Sequence, residues 1–371
     1  MNLHRKSYIL EWTEKCCMYA ELYPLCEKPG GIFMITIKEI AEQLGVSPTT
    51  VSNVLNGRGE RMSPKTRQRV EEALVRNHYV HETRGEEQDV PSRLVAVYFC
   101  LGDKEHILMD PFCGELLESV EKELQKHGRS TVCGIVGSDD QFGEKLKVGG
   151  LEGAILLGCN PEHCADLARR TRIPIVFVDS GEGDYDNVGL QDYEGAYEIA
   201  SYLLKQGNRK VAFFCDQQKP IGSNLERYRG FRKAMERYRA PFSEEEDYVF
   251  LPNEKNLRHE ILRQFARRAR EEEYTGAFFA YDLLANEAIS IFFSQGLRVP
   301  EDISVTGFDD NVYARLSRPM LTTVRQLPAE KGRAAVEMLM RRIYGEELLV
   351  SRIQLPTELI VRQSVANRTR V

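Results

Sequence analysis

The sequence predicts an α/β protein in which a small all-α domain precedes a larger, doubly wound region with two lobes. Residues 35–80 carry apolar side chains at the spacing of short amphipathic helices. From Leu94 onward, short apolar runs alternate with amphipathic stretches, the pattern of a parallel sheet covered by helices. This second region is about 280 residues long and changes rhythm near 187–210, so we expect two lobes rather than one sheet.

The composition limits the class of protein. The 371 residues are 42% hydrophobic and 29% charged, which is typical of a globular protein with a large core. The formal net charge of −6 excludes a uniformly basic nucleic-acid coat. The nine cysteines are scattered and form no Cys-x-x-Cys pair, which disfavours a disulfide framework or a zinc cluster. No apolar run approaches the roughly 18 residues of a membrane helix. We therefore expect a cytoplasmic protein without metal or cofactor.

The first 34 residues differ from the rest of the chain. They show no clean period, and Pro29-Gly30-Gly31 separates them from the ordered pattern that begins at Met34. We expect translation to start at Met34, which would make residues 1–34 a non-native extension. A disordered or weakly helical tail is the alternative.

Residues 35–80 are predicted to form three short helices. Thr36 precedes the first helix with Glu39 three residues later, a capping box, and Gly45 ends that helix. Ser47-Pro48 begins the second helix. Its outer face carries short polar side chains suited to base edges and phosphates: Thr49, Thr50, Ser52, Asn53 and Asn56. Two helices around a Gly-containing turn indicate a helix-turn-helix, with a plain three-helix bundle as the alternative.

The residues of this domain are more specific than its pattern. The segment 36–57 reads TIKEIAEQLGVSPTTVSNVLNG, and the segment 63–79 reads SPKTRQRVEEALVRNHY. Both closely resemble the DNA-binding headpiece of the lactose-repressor (LacI/GalR-type) family of bacterial transcription regulators. The domain has seven Lys/Arg against five Asp/Glu, a net charge of +2 in an acidic chain.

The resemblance implies a role for each polar residue of the headpiece. Pro48, Thr49 and Asn53 would occupy the base-reading positions. The positions near phosphates or supporting the turn would be Thr36, Ser47, Thr50, Ser52 and Asn56. No arginine stands at a reading position, so the helix cannot make the bidentate arginine–guanine contact, whereas Asn53 could pair with an adenine.

The segment that follows departs from the family. Members usually continue with a short hinge helix whose leucine enters the minor groove of operator DNA. Here residues 80–93 read VHETRGEEQDVPSR, so Gln88 stands at the wedge position among several carboxylates. Minor-groove wedges are apolar, and carboxylates repel phosphates. We expect residues 81–93 to be a linker in place of the hinge helix.

The larger region, 94–371, also resembles the family. The segments 187–214, 228–235, 279–310 and 321–326 are similar to its effector-binding domain, which is periplasmic-binding-protein-like. Predicted strands are 94–99, 153–157, 173–178, 211–214, 276–280 and 303–308. Predicted helices are 112–127, 161–171, 193–206, 226–239, 257–272, 283–295 and 329–344.

The resemblance places an effector between the lobes, at the carboxyl ends of the strands. The effector-binding positions it implies are Asp110, Phe112, Asp192, Arg227, Asp282 and Asp309. An aspartate at a strand end can instead cap the next helix. Tyr281 replaces the asparagine that usually precedes Asp282, and Asn253 stands where sugar-binding members place an aromatic ring. A sugar is the expected effector class.

We therefore predict a ligand-controlled, sequence-specific DNA-binding regulator, a repressor of carbohydrate-use genes that acts as a homodimer. The alternative is a sugar- or nucleoside-processing enzyme with an accessory helical domain. Enzyme signatures are missing: His259-Glu260 lacks the second histidine of a zinc motif, Asp309 and Asp310 should point apart, and His163-Cys164 reads as a helix start. The polar face of the second helix favours the regulator.

Overall fold

In the computed structural model the chain divides into two compact units, Met1–Val90 and Pro91–Val371. The residues that the structure describes are 36–55, 62–76, 93–100, 110–136, 145–146, 150–346 and 349–369. The predicted extension 1–34, nearly all of the linker 81–93 and Asn56 lie outside these ranges. Within the described ranges, every helix is too short or too polar to span a bilayer.

The first unit contains a headpiece of three helices: α1 (Ile37–Leu44), α2 (Pro48–Leu55) and α3 (Pro64–Arg76). Each helix contributes one apolar face to a shared core that includes the buried side chains of Ile40, Val51 and Val70. The guanidinium of Arg69 donates to the Leu44 carbonyl at 3.1 Å, which ties α3 to the end of α1.

The second unit begins with a six-stranded parallel sheet in the order β11-β5-β4-β3-β1-β2. Its strands are β1 (Leu94–Phe99), β2 (Ser130–Ile135), β3 (Leu151–Leu157), β4 (Ile175–Val178), β5 (Asn187–Leu190) and β11 (Arg352–Leu355). The helices α4 (Pro111–Lys126), α5 (Pro161–Arg170) and α12 (Pro328–Ile343) belong to this lobe. Apolar clusters cover both faces of the sheet, as parallel sheets require.

The second lobe contains a four-stranded parallel sheet in the order β7-β6-β8-β9. Its strands are β6 (Val211–Cys215), β7 (Tyr248–Phe250), β8 (Gly276–Phe279) and β9 (Ser304–Thr306). An antiparallel pair, β10 (Thr323–Arg325) with β12 (Glu358–Ile360), adjoins it. The helices are α6 (Asp192–Lys205), α7 (Gly222–Arg237), α8 (Glu244–Asp247), α9 (Lys255–Glu271), α10 (Asp282–Ser294) and α11 (Val312–Leu316).

The predicted two-lobed, doubly wound α/β architecture is confirmed, and the six predicted strands and seven predicted helices are present with shifted ends. The sequence analysis missed six strands, most of them short or polar: β2, β5, β7, β10, β11 and β12. In its described part the chain passes between the lobes after β5, after β10 and after β11.

Asp282 joins several strand ends inside the second lobe. Its side chain is fully buried, and its two carboxylate oxygens accept from the Thr323 hydroxyl at 2.6 Å and the Asn311 backbone N–H at 3.1 Å. Burial raises the pKa of Asp282 to about 7, although the hydrogen bond from Thr323 opposes the shift. These contacts favour the structural alternative for this aspartate.

The raised pKa gives a stability effect with a defined sign. Between an ordinary pKa of 3.8 and about 7, folded Asp282 holds a proton that the unfolded chain has released, so its contribution to stability falls as pH rises through that window. We therefore compare the melting temperature of Asp282→Asn with that of the wild type at two pH values. The difference, variant minus wild type, should be higher at pH 8 than at pH 5.

Asp302→Asn is the matched control, because Arg298 holds the pKa of Asp302 at about 2, outside that pH range. Its melting temperature relative to the wild type should be the same at both pH values. An Asp282→Asn difference that is equally independent of pH would contradict the assignment.

Candidate effector cleft and DNA-reading helix

The start of α2 is built by two hydroxyl side chains. The Ser47 hydroxyl accepts from the Thr50 backbone N–H at 3.1 Å, and the two side-chain oxygens lie 2.9 Å apart. Ser47 therefore caps the helix as the sequence predicts. The first turn of α2 contains no acidic residue, so its positive end is compatible with a phosphate.

The predicted reading side chains differ in exposure. Pro48 and Thr49 are exposed, whereas Thr50, Ser52 and Asn53 are half-buried. Thr36 is exposed at the start of α1, where its backbone N–H donates to the Glu39 carboxylate at 2.7 Å and its hydroxyl accepts from the Glu39 N–H at 3.3 Å. This capping box is the predicted one, and it stabilises the first turn of the headpiece.

The second unit brings Arg227 and Asp192 together. Arg227 lies on α7 and Asp192 is the first residue of α6, and both are buried. The Nε of Arg227 donates to a carboxylate oxygen of Asp192 at 2.8 Å, and Nη1 donates to the Ala280 carbonyl at 2.8 Å. The guanidinium also stacks 3.9 Å from the centre of the Phe308 ring. The arginine is thus fixed in orientation at the ends of β5 and β8.

Asp309 extends this group from the end of β9. Its carboxylate lies 3.9 Å from Nη1 of Arg227 and accepts from the Gln326 side-chain amide at 2.5 Å. Burial raises the pKa of Asp309 well above its ordinary value, and Asp282 adds to the shift, while Arg227 opposes it. Burial likewise raises the pKa of Asp192 against the opposing charge of Arg227.

Lys331 belongs to the same network, although the sequence analysis did not single it out. It is fully buried on α12, and its ammonium donates to both carboxylate oxygens of Asp179 at 2.8 and 2.7 Å. It also donates to the Gln326 side-chain oxygen at 3.0 Å and lies 4.9 Å from the centre of the Phe112 ring. A continuous chain of polar contacts therefore runs from the end of β4 to the end of β9.

Asp110 and Phe112 stand at the start of α4, as predicted. The Asp110 carboxylate accepts from the Phe112 backbone N–H at 2.9 Å and caps the helix. Its charge is one of the causes that raise the pKa of Asp309, which places the two carboxylates near one another. Phe112, Asp192, Arg227 and Asp309 thus join one network of contacts with Lys331 and Gln326, and Asp110 caps the helix that carries Phe112, whereas the Asp282 carboxylate is bonded inside the second lobe.

Asp309 and Asp310, which were considered as a pair of catalytic carboxylates, are bonded to different side chains. The Asp309 carboxylate pairs with Gln326, whereas the Asp310 carboxylate pairs with Arg325 and Arg362. Among the described residues no group of three or more His, Cys, Asp and Glu side chains is placed to hold a metal ion.

Two family descriptions match the chain. The description "Bacterial regulatory proteins, lacI family" matches residues 36–81, and "Periplasmic binding protein-like domain" matches residues 200–365. The transcriptional repressor PurR of Haemophilus influenzae (strain PittEE) is 29% identical over 346 residues, which are 90% of this chain and 99% of that protein. The transcriptional regulator DegA of Bacillus subtilis (strain 168) is 30% identical over 347 residues, 89% of this chain and 98% of its own.

Solved structures share the architecture. A complex of the transcriptional regulator CelR with cellobiose superposes with a TM-score of 0.66 at 25% identity and covers 89% of this chain and 99% of its own. The lac repressor dimer bound to operator has a TM-score of 0.62 at 21% identity, with 90% and 99% covered, and it shows the shared fold. The chain belongs to the lactose-repressor (LacI) family, and it is a ligand-responsive, DNA-binding transcription regulator rather than an enzyme.

Proposed function

We propose that this protein is a repressor of carbohydrate-use genes. Its affinity for operator DNA is controlled by a neutral sugar that binds between the two lobes. The observation that carries the proposal is the buried network around Arg227, which presents fixed hydrogen-bonding groups at the strand ends. A ligand that prefers one arrangement of the lobes shifts the protein toward it, and only by that difference in affinity.

The charges of the cleft favour a neutral, hydroxyl-rich ligand. Four carboxylates in this network face two cations: Asp110, Asp179, Asp192 and Asp309 against Arg227 and Lys331. Ionised carboxylates only accept hydrogen bonds, whereas sugar hydroxyls both donate and accept. The raised pKa values of Asp192 and Asp309 mean that the site already resists negative charge, so a phosphorylated sugar would be opposed further.

The comparisons support a neutral sugar as the effector and also suggest a second class of ligand. The CelR structure was solved with cellobiose, a neutral sugar. Several relatives of similar identity are PurR repressors, whose name specifies no sugar, so we keep a nucleobase such as a purine as the competing effector class.

The first test is a thermal-shift screen of neutral sugars, sugar phosphates and purines. A neutral sugar at about one hundred times its dissociation constant should stabilise the wild type by about 2.7 kcal/mol. Arg227→Ala should lose that shift, because it removes the donors that bond Asp192 and the Ala280 carbonyl.

Arg229→Ala is the matched control. Arg229 lies two residues along the same helix and is exposed, and among the residues that the structure describes it pairs with the carboxylate of Glu226. This variant should keep the wild-type shift. A shift with purines alone would overturn the sugar assignment, and a sugar shift that survives in Arg227→Ala would overturn the proposed site. Circular dichroism of Arg227→Ala distinguishes lost binding from lost folding.

On the DNA side we propose that Pro48, Thr49 and Asn53 contact base edges. The exposure of Pro48 and Thr49 on α2 supports this, as does the resemblance of the headpiece to its family. Thr36, Ser47, Thr50, Ser52 and Asn56 would contact phosphates or support the turn. The Ser47–Thr50 and Thr36–Glu39 bonds favour a supporting role for those residues.

Asn53→Ala should weaken binding to an operator selected from randomised DNA by the wild type. A base contact of this kind is worth about 1–3 kcal/mol, so the expected loss is roughly 5- to 150-fold and confined to one base pair of each half-site. Gln68→Ala is the control, because Gln68 is exposed on α3 and, within the described part of the headpiece, its side chain bonds Glu72. An Asn53→Ala protein that keeps wild-type affinity for the selected operator and an unchanged base preference at every pair would contradict the assignment.

We further propose the domain limits 35–80 for the headpiece, 81–93 for the linker and 94–371 for the effector-binding and dimerisation domain. The division of the chain at Val90 and the family match over residues 36–81 support these limits. A headpiece of this size covers about 600–1,000 Å² of DNA, which favours two copies reading two half-sites.

The second lobe offers an apolar surface for that homodimer. Leu257 on α9, Phe293 on α10 and Leu316 on α11 are exposed large apolar side chains, and α10 packs against both other helices. Exposed apolar side chains on neighbouring helices are typical of subunit interfaces.

Leu316→Asp should therefore shift the protein from dimer to monomer in sedimentation velocity, because the new charge loses its hydration when the interface forms. Leu349→Asp, at a more exposed site in the first lobe, should leave the dimer intact. A wild type that sediments as a monomer or as a stable tetramer would overturn the proposed assembly.

A further inference from the structure

Three thiols lie near the ends of two neighbouring strands in the first lobe. Cys100 directly follows β1, Cys159 lies two residues beyond β3, and Cys164 is in the first turns of α5. The effector assignment uses none of them, and nothing in the headpiece involves them.

The backbone sets Cys100 and Cys159 side by side. In the register of β1 and β3, Phe99 lies opposite Leu157, and the Cys100 N–H continues the ladder by donating to the Leu157 carbonyl at 2.8 Å. Cys159 is therefore one residue further along than the position opposite Cys100. Adjacent strands are about 4.8 Å apart and rise about 3.3 Å per residue, which gives a Cα separation near 6 Å. A disulfide spans about 4.4–6.8 Å.

The side chains of Cys100 and Cys159 are in direct contact. The Cys159 thiol donates to the Cys100 sulfur at a distance of 2.8 Å between the two sulfur atoms. Closing this gap to a bond needs a shift of less than one ångström, so oxidation would not require the strands to separate.

The neighbouring Cys164 is a weaker competitor. Its thiol donates to the Asn160 carbonyl at 3.2 Å and is almost fully buried. A hydrogen bond with Cys159, followed by burial, raises the pKa of Cys164 well above its ordinary value, so it stays in the unreactive thiol form. Cys100 is only half-buried and is the sulfur that a small oxidant reaches first.

We propose that Cys100 and Cys159 are a modification site that forms a reversible disulfide when the cell is exposed to hydrogen peroxide. The Cys100 sulfur attacks the peroxide, so an S–O bond forms, the O–O bond breaks, and water leaves. The Cys159 sulfur then displaces the sulfenic oxygen, so the S–S bond forms and a second water carries away the remaining thiol proton. The two sulfurs lose two electrons in total and the peroxide gains two.

Cys100 and Cys159 lie at the carboxyl edge of the first-lobe sheet, the edge at which Asp179 follows β4. The Cys159 backbone N–H donates to the Ser180 hydroxyl at 3.1 Å, and Ser180 follows Asp179, which holds Lys331. In a reducing compartment such a disulfide is transient and suited to sensing. The proposal is independent of which effector binds.

The test uses the full-length protein, reduced, freed of reductant and titrated with hydrogen peroxide. Remaining thiols are alkylated, and the digest is analysed by mass spectrometry. The expected product is a Cys100–Cys159 linked peptide that dithiothreitol separates. It should be absent from Cys100→Ser and from Cys159→Ser.

Cys133→Ser and Cys164→Ser are the controls, and both should keep the linked peptide. Cys133 is an exposed thiol on β2 and reports that the oxidant has reached the protein. Complete oxidation of Cys133 while Cys100 and Cys159 are both recovered as separate alkylated residues would overturn the proposal. A Cys159–Cys164 link as the main product would overturn it as well.

Discussion

The buried ion pair between Arg227 and Asp192 is the constraint on which the effector-binding unit depends. Each charge alone would lose several kcal/mol of hydration on burial, so the pair is stable only because both members and the Ala280 carbonyl are in place. The pair fixes the start of α6 against α7 directly after the first passage of the chain between lobes. The bond therefore ties the first two helices of the second lobe to each other.

The network beyond this pair connects the proposed ligand site to a segment that passes between the lobes. Gln326 lies where the chain returns from β10 to the first lobe, and it bonds Asp309 on one side and Lys331 on the other. Lys331 in turn holds Asp179 at the end of β4. In the proposed site, a ligand that donates a hydrogen bond to Asp309 competes with the Gln326 side-chain amide for the same carboxylate. The segment that runs between the lobes at Gln326 and the proposed ligand site thus share hydrogen bonds. A shared network of this kind is the physical requirement for coupling ligand binding to the arrangement of the lobes.

Sequence reasoning located the features that depend on local pattern. The Thr36–Glu39 box and the Ser47 cap follow from residue types at fixed spacing, and both are present. Short strands such as β5 and β7 were missed, because three or four residues carry too little periodicity and their pairing is decided by distant strands. Asp282 shows the same limit, since whether a strand-end carboxylate faces ligand or protein depends on Thr323 and Asn311, far along the chain.

The need of Lys331 for a partner could be predicted from the sequence, although the partner itself could not. Its contacts also bear on the charge balance of the network. It stands on the inward face of α12, four residues before the buried Ala335, where a charged residue must find a partner. The sequence could not identify that partner as Asp179, which is 152 positions away. Lys331 bonds Asp179 and its charge also lowers the pKa of Asp192, while Asp192 and Asp309 both lie against Arg227, so this network holds more carboxylates than cations. A polyol in the proposed site would offer a hydrogen-bond donor to these carboxylates at every hydroxyl, which is the physical basis of the proposed sugar ligand.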